Sequence, residues 1–277
     1  MSFGTNKKAF YRYVNSKQHV KPKIQQLKKD GGGQTENDEQ AANELSEFFR
    51  SVFVMEITEV VPEIEEDVMN RLIATLDHLE ILVDDVRKRL KAIKADQSPG
   101  PDAINPAFLK AMAECLAAPM TKIYKKSLQE RRLPHDWKAA NVSPVFKKGS
   151  RSDPGNYRPV SLISIPCKVL ESIMRDKMLK YAEENKFMTT EQHGFTDRRS
   201  CLTNVLETLQ DWTETLDSGY GLDILYLDHQ KAYDTVSHKR LLSKLKWYGF
   251  GGNILGWISE FLMGRKMRVA VNGTNCR

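Results

Sequence analysis

Cysteine is scarce in this chain. The 277 residues contain four cysteines, with no Cys-x-x-Cys pair and no histidine at metal-ligand spacing from any of them: Cys115, Cys167, Cys201 and Cys276. This pattern favours neither a zinc site nor a disulfide framework. It is typical of a protein that works in a reduced, intracellular compartment.

Long apolar runs are also missing. No stretch approaches the roughly 20 apolar residues that a membrane-spanning helix needs, and the N-terminal residues MSFGTNKKAFYRYV are basic without an apolar core. The sequence therefore predicts a soluble or nucleic-acid-bound protein with no membrane partner.

Acidic residues are absent from one basic segment. Between residues 7 and 29 the chain has no Asp or Glu but eight cations: Lys7, Lys8, Arg12, Lys17, Lys21, Lys23, Lys28 and Lys29. The net charge of +6 and the pI of about 9.0 favour a polyanionic partner without proving one. Three glycines at 31–33 indicate a turn or linker, and we place the first boundary there.

Helical spacing of apolar residues recurs after this boundary. It predicts helices over 38–53, 82–93, 106–134 and 169–185, with Pro106 at a first-turn position. Residues 137–146, WKAANVSPVF, are typical of a strand, and a basic polar loop follows them. The region is therefore predicted to be helix-rich with short strands.

The last third contains a different pattern. Residues 224–227 form a short apolar run, which predicts a strand covered on both faces and ending at Asp228. Thr235 or Ser237 can cap the next helix, and another helix starts near Asn253. The final MRVAVNGTNCR predicts a strand that enters an Asn-Gly hairpin. Few residues follow that turn, so we expect a chain that is cut rather than finished.

Asp228 is a candidate metal ligand. A carboxylate at the end of a buried strand suits Mg²⁺, which binds through one or two carboxylates together with substrate phosphates. The alternative is an ordinary surface Asp in a turn, and Asp234 fits a cap or turn better than a ligand. Tyr233 could stack on a nucleotide sugar or belong to the core. An aspartyl-nucleophile phosphohydrolase is disfavoured, because Gln230 occupies the position of its second carboxylate.

Two basic loops are candidate phosphate contacts. The segment VFKKGSRSDPGNYRPVSL carries Lys147, Lys148, Arg151 and Arg158, and cations on a hairpin suit triphosphate oxygens. The segment EQHGFTDRRS places a glycine before two arginines, a combination that is common at nucleic-acid phosphates. For each loop, exposed side chains that serve only solubility remain the alternative.

In order along the chain, these segments resemble a known family. SPGPDAI, LPHDWKAANVSPVFKKG, KKGSRSDPGNYRPVSLI, EQHGF, LYLDHQKAYDTVSHKRLLSKL and GFGGNILGWISEFLMGRKMRVAVNG are similar to the reverse transcriptase of non-long-terminal-repeat (non-LTR) retrotransposons, close to the jockey type. The lead-in FYRYVNSKQHVKPKIQQLKKDGGG also fits, so the likeness covers nearly the whole chain.

The resemblance implies an α+β, right-hand polymerase fold with an incomplete palm. The expected divisions are a basic N-terminal arm at 1–33, where template RNA is held, a helical N-terminal extension at 34–105, fingers at 106–221 and a partial palm at 222–277.

The same resemblance implies roles for individual residues. Asp228 matches the metal-binding catalytic aspartate, and Tyr233 stands where the family more often has Phe, against the nucleotide sugar. The remaining assignments are nucleotide binding for Lys147, Lys148 and Arg158, and template binding for Gln192, Gly194 and Arg198.

The implied activity is RNA-directed DNA synthesis by two-metal nucleotidyl transfer with Mg²⁺ or Mn²⁺. The partners would be an RNA template, a DNA primer and dNTP, and the setting an intracellular ribonucleoprotein in nucleus or cytoplasm. The family supplies further carboxylates from a Tyr-Ala-Asp-Asp-like hairpin that is not found in these 277 residues. We therefore expect weak or absent metal binding and no activity of this chain alone. The alternative is a non-catalytic nucleic-acid-binding remnant.

Overall fold

The computed structural model describes residues 23–53, 75–229 and 231–276. Most of the predicted basic arm and its proposed RNA-holding role lie outside the described residues. The chain divides into two compact units, which are both assembled from separate parts of the sequence. Unit 1 comprises residues 1–51, 140–162 and 267–277, and unit 2 comprises residues 52–139 and 163–266.

The described residues form a mixed α/β structure with eight α-helices and one four-stranded sheet. The helices are α1 (Asp38–Ser51), α2 (Val83–Lys91), α3 (Pro106–Ala111), α4 (Ala113–Glu130), α5 (Ile165–Glu184), α6 (Cys201–Asp217), α7 (His238–Trp247) and α8 (Gly252–Leu262). The strands are β1 (Ala139–Phe146), β2 (Tyr157–Ile163), β3 (Lys266–Val271) and β4 (Thr274–Asn275). Short 3₁₀ turns cover His135–Lys138 and Pro154–Asn156.

Unit 1 is a helix packed on a sheet with the strand order β2-β1-β3-β4. Strands β3 and β4 pair antiparallel, with Ala270 opposite Asn275 and Val271 opposite Thr274. The core lies between α1 and one sheet face and contains Leu27, Ala41, Ala42, Leu45, Phe49, Val142, Tyr157, Val269 and Val271. Because strand side chains alternate between faces, the residues of this core identify which strand residues face away from α1.

Unit 2 is built mainly from helices. Its buried cluster includes residues of α2, α4, α5 and α8, together with Trp137. Two polar side chains inside it are hydrogen-bonded, as burial favours. Tyr124 donates its hydroxyl to the carbonyl of Pro166 at 2.8 Å, and Trp257 Nε1 donates to Ser127 Oγ at 2.9 Å.

Several predicted elements are confirmed with small shifts. The predicted helices over 38–53, 82–93 and 169–185 correspond to α1, α2 and α5, and Asn105 caps α3 by accepting from the N–H of Ala107. The Asn-Gly hairpin is also confirmed, because Asn272 and Gly273 both have the positive φ angles, 50° and 93°, that this turn demands.

Two predictions differ from the structure, and one helix was not predicted. The helix predicted over 106–134 is two helices, interrupted at Met112, whose φ and ψ of −92° and 15° leave the α-helical region, and the second helix ends at Glu130. The strand predicted at 224–227 is absent from the described structure. Helix α6 was not predicted.

Candidate nucleic-acid interface

The hairpin that joins β1 to β2 carries the three cations assigned to nucleotide binding. Lys147 and Lys148 follow β1 directly, and Arg158 is the second residue of β2. The backbone N–H of Lys147 donates to the carbonyl of Asn156 at 2.9 Å and closes the loop between the strands. The structure therefore brings these three exposed side chains onto one hairpin.

Hydrogen bonds inside the loop hold it in one conformation. Asn156 donates through Nδ2 to the carbonyl of Ser150 at 2.9 Å, and Asp153 Oδ1 accepts from the N–H of Gly155 at 2.8 Å. Gly149 has a φ of +89°, and a Cβ there would lie 2.6 Å from Asn156 Nδ2. Only glycine combines that backbone conformation with this close approach, so the cations stand on an organised support.

The hairpin cations are not compensated by described carboxylates. Lys147, Lys148 and Arg158 form no ion pair with any residue that the structure describes. In unit 2, by contrast, Arg87, Lys88 and Lys138 lie 2.6 to 2.9 Å from carboxylate oxygens. Cations left unpaired on a fixed hairpin are available to phosphate oxygens, which lysine binds as a point charge and arginine as a two-pronged donor.

A fourth cation extends this surface across the sheet. Arg268 on β3 donates through Nη2 to Asn141 Oδ1 on β1 at 3.0 Å. Val142, Tyr157 and Val269 belong to the core beneath α1, so by alternation Asn141, Arg158 and Arg268 lie on the opposite face.

Arg268 is not among the site residues predicted from the sequence. The signal that could have found it is the alternation in MRVAV, where Val269 and Val271 are the inward-facing residues and Arg268 therefore faces outward.

The predicted template-binding residues lie in one turn-rich loop of unit 2, between α5 and α6. Gln192 Nε2 donates to the carbonyl of Gly194 at 2.9 Å, and Thr196 Oγ1 donates to the carbonyl of Gln192 at 2.9 Å. Arg198 is exposed, with a φ of 57°. The loop thus groups Gln192, Gly194 and Arg198, while the cations predicted to bind the nucleotide, Lys147, Lys148 and Arg158, belong to unit 1.

The segment around Asp228 corrects the predicted buried strand. Residues 221–229 form no regular structure, and Leu225 and Leu227 are each 82% exposed. The physical reason is that a strand is stabilised by hydrogen bonds to neighbouring strands, and no described residue pairs with this segment. Asp228 itself is exposed.

Tyr233 and Asp234 lie in the turn before α7. Tyr233 is 80% exposed, which excludes the core alternative within the described structure. The N–H of Asp234 donates to the carbonyl of Lys231 at 2.9 Å, so the predicted turn role of Asp234 is confirmed. Ser237 is the cap of α7, because its side chain accepts from the N–H of Arg240.

The described residues do not fit a two-metal centre. Within residues 23–53, 75–229 and 231–276, no group of three or more His, Cys, Asp or Glu side chains could hold a metal ion. Asp228 offers one hard oxygen ligand, whereas two bridged ions need several. The donor set of the described residues therefore falls short of the family's Mg²⁺ or Mn²⁺ chemistry.

The titratable groups most affected by burial lie in the core of unit 2. Burial raises the pKa of Tyr124, Cys167 and Glu171. Cys167 donates its S–H to Glu171 Oε1 at 3.1 Å, which pairs two of them. Raised pKa values keep a phenol and a thiol neutral near pH 7, so this cluster stabilises the helices rather than providing a nucleophile.

Comparison with known proteins identifies a related family. The family model described as reverse transcriptase (RNA-dependent DNA polymerase) matches residues 145–277, a range that starts at the basic hairpin and includes Asp228 and the loop of Gln192, Gly194 and Arg198.

Three relatives show that this chain corresponds to only part of longer proteins. The probable RNA-directed DNA polymerase from transposon BS of Drosophila melanogaster is 26% identical over 248 residues, which are 88% of this chain and 27% of that protein. The RNA-directed DNA polymerase from mobile element jockey of the same organism is 22% identical over 76% of this chain and 23% of its own length. The Pol polyprotein from type-1 retrotransposable element R1 of Bradysia coprophila is 31% identical over 60% of this chain and 16% of its own length. The chain thus spans about a quarter or less of each.

Residues 145–277 are therefore similar in sequence to the reverse transcriptase family. Within that family, the chain is similar to the polymerases of non-LTR retrotransposons, as its sequence motifs indicated. None of the helices that the structure describes is both long and apolar enough to cross a membrane.

Proposed function

We propose that this chain serves RNA-directed DNA synthesis as a segment of a non-LTR retrotransposon polymerase with a right-hand fold. Its partners are an RNA template, a DNA primer and dNTP, and its setting is an intracellular ribonucleoprotein. The observation that carries the proposal is the β1–β2 hairpin inside the family match, whose three cations form no ion pair with a described residue.

The basic hairpin is the proposed nucleotide contact. Lys147 and Lys148 bind phosphate oxygens of the incoming nucleotide, and Arg158 adds a bidentate contact. Arg268 lies on the same sheet face as Arg158 and extends the positive charge along it. Tyr233 is the proposed contact to the nucleotide sugar, which its exposed ring leaves accessible.

The remaining roles fall on unit 2. Gln192, Gly194 and Arg198 are the proposed template contacts, and their loop exposes all three residues. Asp228 is the proposed catalytic carboxylate. Because the described residues supply too few ligands for two metal ions, we expect a polypeptide of residues 1–277 not to extend a primer on an RNA template with Mg²⁺ or Mn²⁺. Incorporation above background in that assay would contradict this expectation.

The binding part of the proposal is tested with an RNA–DNA hybrid. Changing Lys147 and Lys148 together to Ala should weaken binding and lower the slope of log affinity against log salt by about 2, since each phosphate contact contributes about 1. The matched control changes Lys122 and Lys125, two exposed lysines of α4, to Ala. Equal losses in both double variants would show that net charge alone acts and would refute the hairpin assignment.

A non-catalytic nucleic-acid-binding role is the second candidate. The exposure of Asp228 and the absence of a metal-holding group among the described residues favour it. On this alternative, Asp228→Ala leaves hybrid binding unchanged while the Lys147/Lys148 variant loses it, and no longer form of the chain acquires polymerase activity.

A further inference from the structure

His193 is a buried residue in an exposed loop. Its exposed fraction is 6%, although its neighbours Gln192 and Gly194 are exposed and Phe195 is 86% exposed. The imidazole packs against α6, a helix of which no residue is buried. A polar ring in that position is held by specific hydrogen bonds rather than by surrounding apolar side chains.

Both ring nitrogens have partners on one face of α6. His193 Nδ1 lies 2.9 Å from Thr203 Oγ1, and Nε2 lies 2.9 Å from Glu207 Oε2. Thr203 and Glu207 are four residues apart, so their side chains are neighbours on the helix surface. The loop is thereby attached to the first two turns of α6.

Thr203 is itself held at the start of α6. Its hydroxyl donates to the carbonyl of Ser200 at 2.8 Å and accepts from the N–H of Ser200 at 2.9 Å. The loop is therefore attached to a side chain that the helix cap already fixes.

The other charged groups around His193 belong to its own loop. Arg199 Nη1 lies 3.3 Å from Nε2 and also donates to the carbonyl of Thr190. Glu191 accepts from the hydroxyl of Thr190 at 2.7 Å and is attracted by Arg199. The carboxylate of Glu207 thus reaches the ring from α6, and the guanidinium of Arg199 reaches it from the loop.

The loop needs such an attachment because its backbone is strained. Phe195 and Arg198 have φ angles of 60° and 57°, in the left-handed region that residues with a Cβ disfavour. His193 lies between Gln192 and Gly194, two of the proposed template contacts.

We propose that His193, through its hydrogen bonds to Thr203 and Glu207 of α6, is a positioning residue that fixes the loop of Gln192, Gly194 and Arg198 in its template-binding conformation. The role of the loop in template binding rests on the proposed function. The attachment of the loop to α6 does not, and it can be measured without nucleic acid.

The attachment is tested on the 277-residue chain by amide hydrogen exchange. His193→Gln should speed exchange of residues 190–199 by about tenfold, the loss expected for one hydrogen bond to a charged group.

Glu207→Gln is the second variant, and it keeps the shape of the partner while it removes the charge. It should loosen the same loop less than His193→Gln does. Glu214→Gln, an exposed change further along α6, is the matched control and should leave the loop unchanged. Unchanged exchange in both His193→Gln and Glu207→Gln would overturn the attachment.

A labelled single-stranded RNA then tests the link to the template. His193→Gln should bind it several-fold more weakly than the parent, while Glu214→Gln binds normally. If the parent itself binds no RNA, the proposed function fails while the exchange result still decides the attachment. If the parent binds RNA and a loosened His193→Gln loop binds it equally well, the positioning role is refuted.

Discussion

Helices α4 and α6 have similar sequence patterns but differ in how many of their residues are buried. They have 18 and 17 residues, and both repeat apolar residues at helical spacing. Helix α4 buries seven of its residues in unit 2, whereas α6 buries none and exposes Leu202, Val205, Leu206, Leu209 and Leu216. An amphipathic pattern therefore does not indicate whether the apolar face of a helix contributes to the stability of the fold.

The largest expected effect contrasts one core residue of α4 with one exposed leucine of α6. Tyr124→Ala should lower the free energy of unfolding by about 3–5 kcal/mol, because it removes a fully buried ring and leaves the Pro166 carbonyl without its donor. Leu206→Ala should change it by less than about 0.5 kcal/mol. Urea unfolding measures both, and comparable losses would show that α6 packs as firmly as α4.

A smaller, pH-dependent effect is expected at Glu171 on α5. Burial raises the pKa of its carboxyl in the folded state, so folding favours the protonated form. The contribution of this group to stability is complete at low pH and is lost as the pH rises through the folded-state pKa. Glu171→Gln should therefore unfold at higher urea concentration than the parent at pH 8, and the difference should shrink towards pH 4.

The control for this prediction is Glu214→Gln on α6, whose carboxylate is exposed. It should follow the parent at every pH. A Glu171 variant that is less stable than the parent at pH 8 would indicate that the ionised carboxylate is stabilised in the fold.

The smallest effect on stability is expected for the exposed apolar segment before Asp228. Changing Leu225 and Leu227 together to Ser should alter unfolding by less than about 0.5 kcal/mol but should reduce self-association at high concentration. Light scattering and sedimentation report the association. A parent protein that stays monomeric at high concentration would contradict the expected aggregation hazard.

Local signals predicted much of the fold. The Asn272-Gly273 turn, the Ser237 cap and the Asn105-Pro106 helix start depend on residues near one another in sequence, and the structure has all three. The basic hairpin of Lys147, Lys148 and Arg158 was predicted for the same reason. Local chemistry dictates these features before any long-range packing occurs.

Features that depend on distant partners were harder to predict. Residues 224–227 have strand-like composition, but pairing decides whether a strand forms, and composition carries no information about pairing. The sequence also did not reveal that Arg268 shares a sheet face with Arg158, since strand order brings together residues more than 100 positions apart. The sequence also did not reveal the hydrogen bonds of His193, because its partners Thr203 and Glu207 lie on a helix that was not predicted.

The sheet order has a consequence for how the chain folds during synthesis. Strand β1 is central, and its neighbour β3 is made only after the intervening residues of unit 2 have been translated. One edge of β1 must therefore wait unpaired while the helices of unit 2, which are closer together in sequence, can already assemble. Closing such a long loop is slow. The surface that carries Arg158 and Arg268 is thus expected to be among the last parts of the described structure to form.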